Sequence, residues 1–161
     1  MKKDHLRDYA TAAFRYYAKI GKTSEQVKED IGNMLMDARE ERIINTGGTG
    51  SPTEHAIMEK ERVINELKAE IDDLEAVEKT LELLKRRFDY GTIKAIEIVY
   101  FTDPNKPLEK NDLSSRVVKA AAEIPCGEAT VYRMLSKARR VFAEERGLRS
   151  NWEKTEEKTS I

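Results

Sequence analysis

From Leu113 to Val141 the chain carries two apolar patterns that change phase at Pro125-Cys126-Gly127. The first pattern is Val117, Val118, Ala120 and Ala121. The second is Val131, Met134, Leu135 and Ala138, continued by Val141 and Phe142. Both have helical spacing, and proline beside glycine marks the turn between them. Glu128, Tyr132, Arg133, Ser136, Lys137 and Arg140 fall off the second stripe. Arg133, Lys137 and Arg140 are four and three residues apart and so share a helix face. A short helix, a tight turn and a helix with one basic face is the layout of a helix-turn-helix.

The rest of the chain reads as helices too. Leu6, Tyr9, Ala10, Ala13, Tyr17 and Ile20 form a stripe over residues 3–20, widened by Phe14 and Tyr16, with Gly21 placed to end the helix. Three of the six tyrosines lie here; they read either as a contact surface for a partner or as packing against a neighbouring helix. Thr23 and Gln26 have capping-box spacing and open a second helix, expected to run to about Ile44 with Val27, Ile31, Met34, Leu35 and Ala38 on its apolar side. Gly32 within it costs about 1 kcal/mol relative to alanine.

Asn45–Ser51 is Gly-rich, but it lacks the P-loop lysine and no strand precedes it, so it reads as a linker. Ser51, Pro52 and Glu54 form a strong helix start. From Pro52 nothing in the residue types interrupts a helix until Tyr90-Gly91, which predicts a rod of about 55 Å over 52–88. Ile64, Leu67, Ile71, Leu74, Val77, Leu81, Leu84 and Phe88 form a seam in steps of three and four, as in a coiled coil. Two partners are open for that seam: a second copy, giving a homodimer through the 52–88 helix, or the two preceding helices. Thr92–Phe101 is a short, very apolar helix, expected to pack beneath the helix-turn-helix, and Thr102–Pro107 is a turn held open by two prolines. The fold class is therefore all-α: an N-terminal helical hairpin and a long coiled-coil-like helix (1–89), a C-terminal helix-turn-helix domain (90–148), and a polar tail (149–161) expected to be disordered, with Trp152 its one large aromatic.

Charge is distributed unevenly. The net charge is only −1. Residues 113–149 nevertheless hold eight Lys/Arg against four Glu, whereas 52–88 hold seven against ten Asp/Glu. Basic charge is thus gathered where phosphate contacts would need it. The single cysteine, Cys126, rules out an intrachain disulfide and reads as a small buried residue in the turn. His5 and His55 read as surface residues. No signal peptide and no membrane-length apolar run is visible, which predicts a cytoplasmic protein. No metal-ligand cluster, nucleophile–base pair or paired carboxylates in an apolar setting point to an enzyme, and no cofactor is expected.

Tyr90–Leu148 resembles region 4 of bacterial sigma factors. The resemblance is carried by Ala95-Ile-Glu-Ile-Val-Tyr-Phe101, the Asp-Pro turn, and Glu128-Ala-Thr-Val-Tyr-Arg-Met-Leu-Ser-Lys-Ala-Arg-Arg140. With the long upstream helix and Gly-rich linker, the chain is similar to phage-encoded late-gene transcriptional regulators of the ArpU/RinA type. Two positions depart from the pattern: Pro125 stands where such turns usually carry glycine, and Gly127 where a serine usually caps the recognition helix. The resemblance implies that a helix from Glu128 to about Glu145 enters the major groove of double-stranded DNA. Glu128, Thr130, Arg133 and Ser136 would then lie near bases, and Tyr132, Lys137 and Arg140 near phosphates, with Arg116 and Lys119 of the preceding helix on the backbone. It also implies contact with host RNA polymerase.

Two other functions fit the same pattern. A small-terminase-like DNA-packaging protein also joins a helix-turn-helix to oligomerising helices, though usually in the opposite order. A polymerase-binding module that reads no bases would turn Arg133 and Lys137 towards a protein.

Overall fold

The computed structural model describes residues 4–46 and 52–148, with the side chains of 4–37, 54, 55 and 57–148. The 149–161 tail with Trp152, and the glycines of the linker, lie outside the described residues. What is described is all-α, without a strand: α1 (His5–Ile20), α2 (Ser24–Thr46), α3 (Pro52–Glu66), α4 (Lys68–Arg86), α5 (Tyr90–Val99), α6 (Lys110–Glu123) and α7 (Glu128–Arg146). Among the described residues no helix is long and apolar enough to cross a membrane.

Local signals set most helix ends. Asp4 accepts from the Arg7 N–H at 3.0 Å and caps α1, which closes on Gly21 in the left-handed conformation. The Thr23–Gln26 capping box forms in both directions, at 2.9 and 3.2 Å. Pro52 is the first residue of α3. His5 and His55 are exposed.

The described chain divides into two compact units. One comprises 1–21 and 76 onwards; the other is Lys22–Glu75. This differs from the boundary at 89/90 that the sequence led us to expect: α1 and the second half of α4 belong with the C-terminal helices. The reason is aromatic packing. Phe14 of α1 stacks on Tyr100 with ring centroids 5.4 Å apart and meets Phe142 of α7 at 5.6 Å, while Tyr17 lies 5.6 Å from Phe101. The tyrosine-rich helix is thus committed to its own chain, and burial, with Glu78 nearby, raises the Tyr17 phenol above its ordinary pKa. Val77, Leu84, Ile96, Val99, Val117, Val131 and Leu135 complete the core.

Arg15 secures the same seam. It is buried, and its guanidinium donates to the carbonyls of Tyr100 (3.0 Å), Thr102 (2.7 Å), Asp103 (2.8 Å) and Lys106. One side chain thereby fixes the loop between α5 and α6. Burial, then Arg116, lowers its pKa, opposed by Asp103 and Asp112.

In the other unit α2 and α3 pack together, so α3 folds back on a preceding helix. The Lys60 side chain lies over Gly32, with Nζ 3.1 Å from where a Cβ would stand. Lys28 of α2 reaches Glu75 of α4 at 2.8 Å; that hydrogen bond raises the Lys28 pKa against a smaller effect of burial.

The rod expected over 52–88 comprises two elements. α3 and α4 meet at Leu67, through which helical bonding continues: the Leu67 N–H donates to Val63 and its carbonyl accepts from Ile71. The end precedes the expected one: α4 stops at Arg86, and Tyr90-Gly91 lie inside α5 rather than in a turn. Asp89 is the cause, because its carboxylate caps α5 by accepting from the Thr92 N–H at 3.3 Å. Half of the eight-residue seam is buried within the chain: Ile71, Leu74, Val77 and Leu84. Phe88 leaves it altogether and is 78% exposed.

Candidate nucleic-acid interface

α6 begins at Lys110, three residues before the expected Leu113, because the Glu109 N–H donates to Asp112 across the first turn at 3.3 Å. Val117 and Ala120 are buried as expected, but Val118 points outward, 54% exposed. It stands about 100° round the helix from Val117 and so falls on the side turned away from the core.

The turn falls at 124–127, as read. The Cys126 N–H returns to the Ala121 carbonyl at 3.0 Å, with Pro125 at a positive φ of 26°. This is the six-to-one bond of a Schellman ending, with proline in the position that favours glycine. Cys126 is a free thiol, half-buried against the core rather than fully enclosed. Gly127 caps α7 without a side chain, its carbonyl accepting from Thr130 (3.1 Å) and Val131 (3.2 Å).

α7 lays Val131, Leu135, Ala138, Val141, Phe142 and Ala143 into the core and packs on α1, α5 and α6. Its outer side carries Glu128, Tyr132, Arg133, Ser136 and Arg140, all exposed. Tyr132, Ser136 and Arg140 follow one another every four residues, with Arg133 beside them. Thr130 is half-buried, and Lys119 of α6 is exposed.

Two of the nine residues named from sequence already have partners. Arg116 is half-buried and donates to the Val99 carbonyl at 2.9 Å, closing the end of α5. Lys137 meets Asp89 at 2.5 Å, which binds α7 to the cap of α5. Burial opposes ionisation of Asp89, but hydrogen bonds from Lys137 and Thr92 outweigh it and hold the carboxyl below its ordinary pKa. Arg139, not assigned a role from sequence, donates to the Tyr100 hydroxyl at 2.8 Å. Among the described residues of the nine, Lys119, Arg133 and Arg140 are the exposed cations.

Sequence reasoning missed Asp89, whose spacing to Thr92 is nonetheless a helix-start signal, and Arg15, which carries no local signal. Among the described residues no cluster of His, Cys, Asp and Glu is arranged to hold a metal. No family model, curated protein or solved structure is similar enough to this chain to count as a match.

Proposed function

We propose that this chain is a sequence-specific DNA-binding regulator of transcription, of the phage or prophage late-gene activator type, with α7 as the helix that enters the major groove. The observation that carries the reading is the division of α7 into a buried apolar side and an outer side bearing Tyr132, Arg133, Ser136 and Arg140. Arginine can address guanine through two hydrogen bonds, and Ser136 can accept or donate to either base type. Lys119 and Arg140 supply phosphate contacts, which position the protein without reading sequence.

Arg116 and Lys137 contribute indirectly on this reading. Their bonds to Val99 and Asp89 hold α6 and α7 on α5, so they orient the reading surface rather than touch the duplex. Host RNA polymerase remains the second proposed partner.

The test is selection of binding sites from a random duplex library by the full chain, repeated with Arg133→Ala. Enrichment of one motif, with relaxed preference at one base position in the variant, is the expected result. Salt-dependent binding with no enriched motif would replace this reading with a polymerase-binding module. Assembly into a large ring would favour DNA packaging.

A further inference from the structure

We infer that the corner between α4 and α5 is a second nucleic-acid contact, one that takes unpaired bases of a single strand. The corner reads Lys85-Arg86-Arg87-Phe88-Asp89-Tyr90. Phe88 is 78% and Tyr90 56% exposed, and their rings stand edge to face with centroids 6.4 Å apart. Exposed single aromatics are ordinary; two adjacent ones on a basic segment are not.

The backbone beneath Phe88 adds an independent sign. The Asp89 N–H returns to the Leu84 carbonyl at 2.9 Å and the Phe88 N–H to Lys85 at 3.1 Å, the two bonds of a Schellman ending. Phe88 occupies its left-handed position, with φ 56°. The same chain closes α7 with the same pair of bonds and places Gly147 there, at φ 76°. A bulky residue at such a position is strained. Phe88 gains no burial in return, so its ring serves something outside the described chain.

The electrostatics fit a polyanion. Lys85 and Arg87 are exposed. Both acidic groups within 82–90 are matched, Glu82 by Arg86 at 2.6 Å and Asp89 by Lys137 at 2.5 Å; Glu123 and Glu128 flank the neighbouring turn. Stacking needs an accessible base face, which a paired duplex does not present, so the ligand is an unpaired DNA or RNA strand. The site lies beside the α6–α7 turn, since Gly91 approaches both Ile124 and Met134, but it does not depend on α7 reading a duplex.

The test measures fluorescence anisotropy of labelled oligothymidine, oligouridine and a random duplex against the full chain, its Phe88→Ala/Tyr90→Ala double variant and Phe88→Gly. The wild type is expected to bind at least one of the single strands, and the double variant to lose roughly tenfold or more on it. Its duplex affinity should change far less. Phe88→Gly guards against misfolding: it should raise the melting temperature while still weakening single-strand binding. Failure of the wild type to bind either single strand, unchanged affinity in the variants, or equal loss on duplex and single strand would each overturn the proposal. A wild type that binds no duplex, with the single-strand effect present, would support the corner site and count only against α7 as the reader.

Discussion

Lys137 of α7 and Asp89 at the start of α5 are joined at 2.5 Å, with the carboxylate the more enclosed partner. Because Asp89 is held below its ordinary pKa, its ionised form is favoured by folding. The stabilisation is therefore full above the unfolded carboxylate pKa, about 3.9, and is lost as pH falls through the lower folded value. Asp89→Asn keeps a capping side chain but removes the charge. It should cost about 1–2 kcal/mol at neutral pH. Urea unfolding at a series of pH values should show the two proteins converging below about pH 4.

Arg15 satisfies four carbonyls of one loop from a buried position. Arg15→Ala leaves them without a donor and should destabilise the chain by at least about 3 kcal/mol. Arg15→Lys should restore little, because an ammonium cannot reproduce the planar fork. Equal stability of the Lys variant and wild type in chemical denaturation would refute this account.

Gly32 is a glycine inside α2 whose nearest obstacle is the flexible end of Lys60. Lys60 can swing away at little cost, so Gly32→Ala should stabilise α2 by about 0.5–1 kcal/mol. Thermal unfolding with and without the substitution measures it.

If Lys119 and Arg140 are the cations that meet phosphate, the logarithm of duplex affinity against that of salt should fall with a slope of about −2. Lys119→Ala should reduce the slope by about one, affecting all sequences alike. A slope far steeper would mean that cations outside this face take part.

What the sequence made legible was local. Gly21, the Thr23–Gln26 box, Pro52 and the turn at 124–127 all act within one helical turn, and residue type alone announces them. Amphipathic stripes showed which side of α1 and α7 would be buried, but no stripe names its partner. Hence residue patterns place α1 with the helices that follow it, whereas its aromatic contacts lie with α7 and Tyr100, and the seam of 52–88 stays open between two partners. Phe88 misled because it continues the three-four spacing from Leu84, while nothing in its chemistry marks a left-handed residue. Arg116 and Lys137 were correctly seen to flank the apolar stripes. Their engagement with Val99 and Asp89 depends on partners 17 and 48 positions away. On the candidate face, residue types were readable, but which cations remain exposed was not.

The packing of α1 against α7 also sets an order of events during synthesis. Phe14 finds its Phe142 partner only after more than a hundred further residues have been made. At ribosomal rates that leaves the aromatic face of α1 waiting on the order of ten seconds. Lys22–Glu75 is complete within that interval and can form its own contacts first. α1 is thus made long before its native neighbours in α7, and exposure of Phe14 to chaperones or aggregation is greatest in the nascent chain.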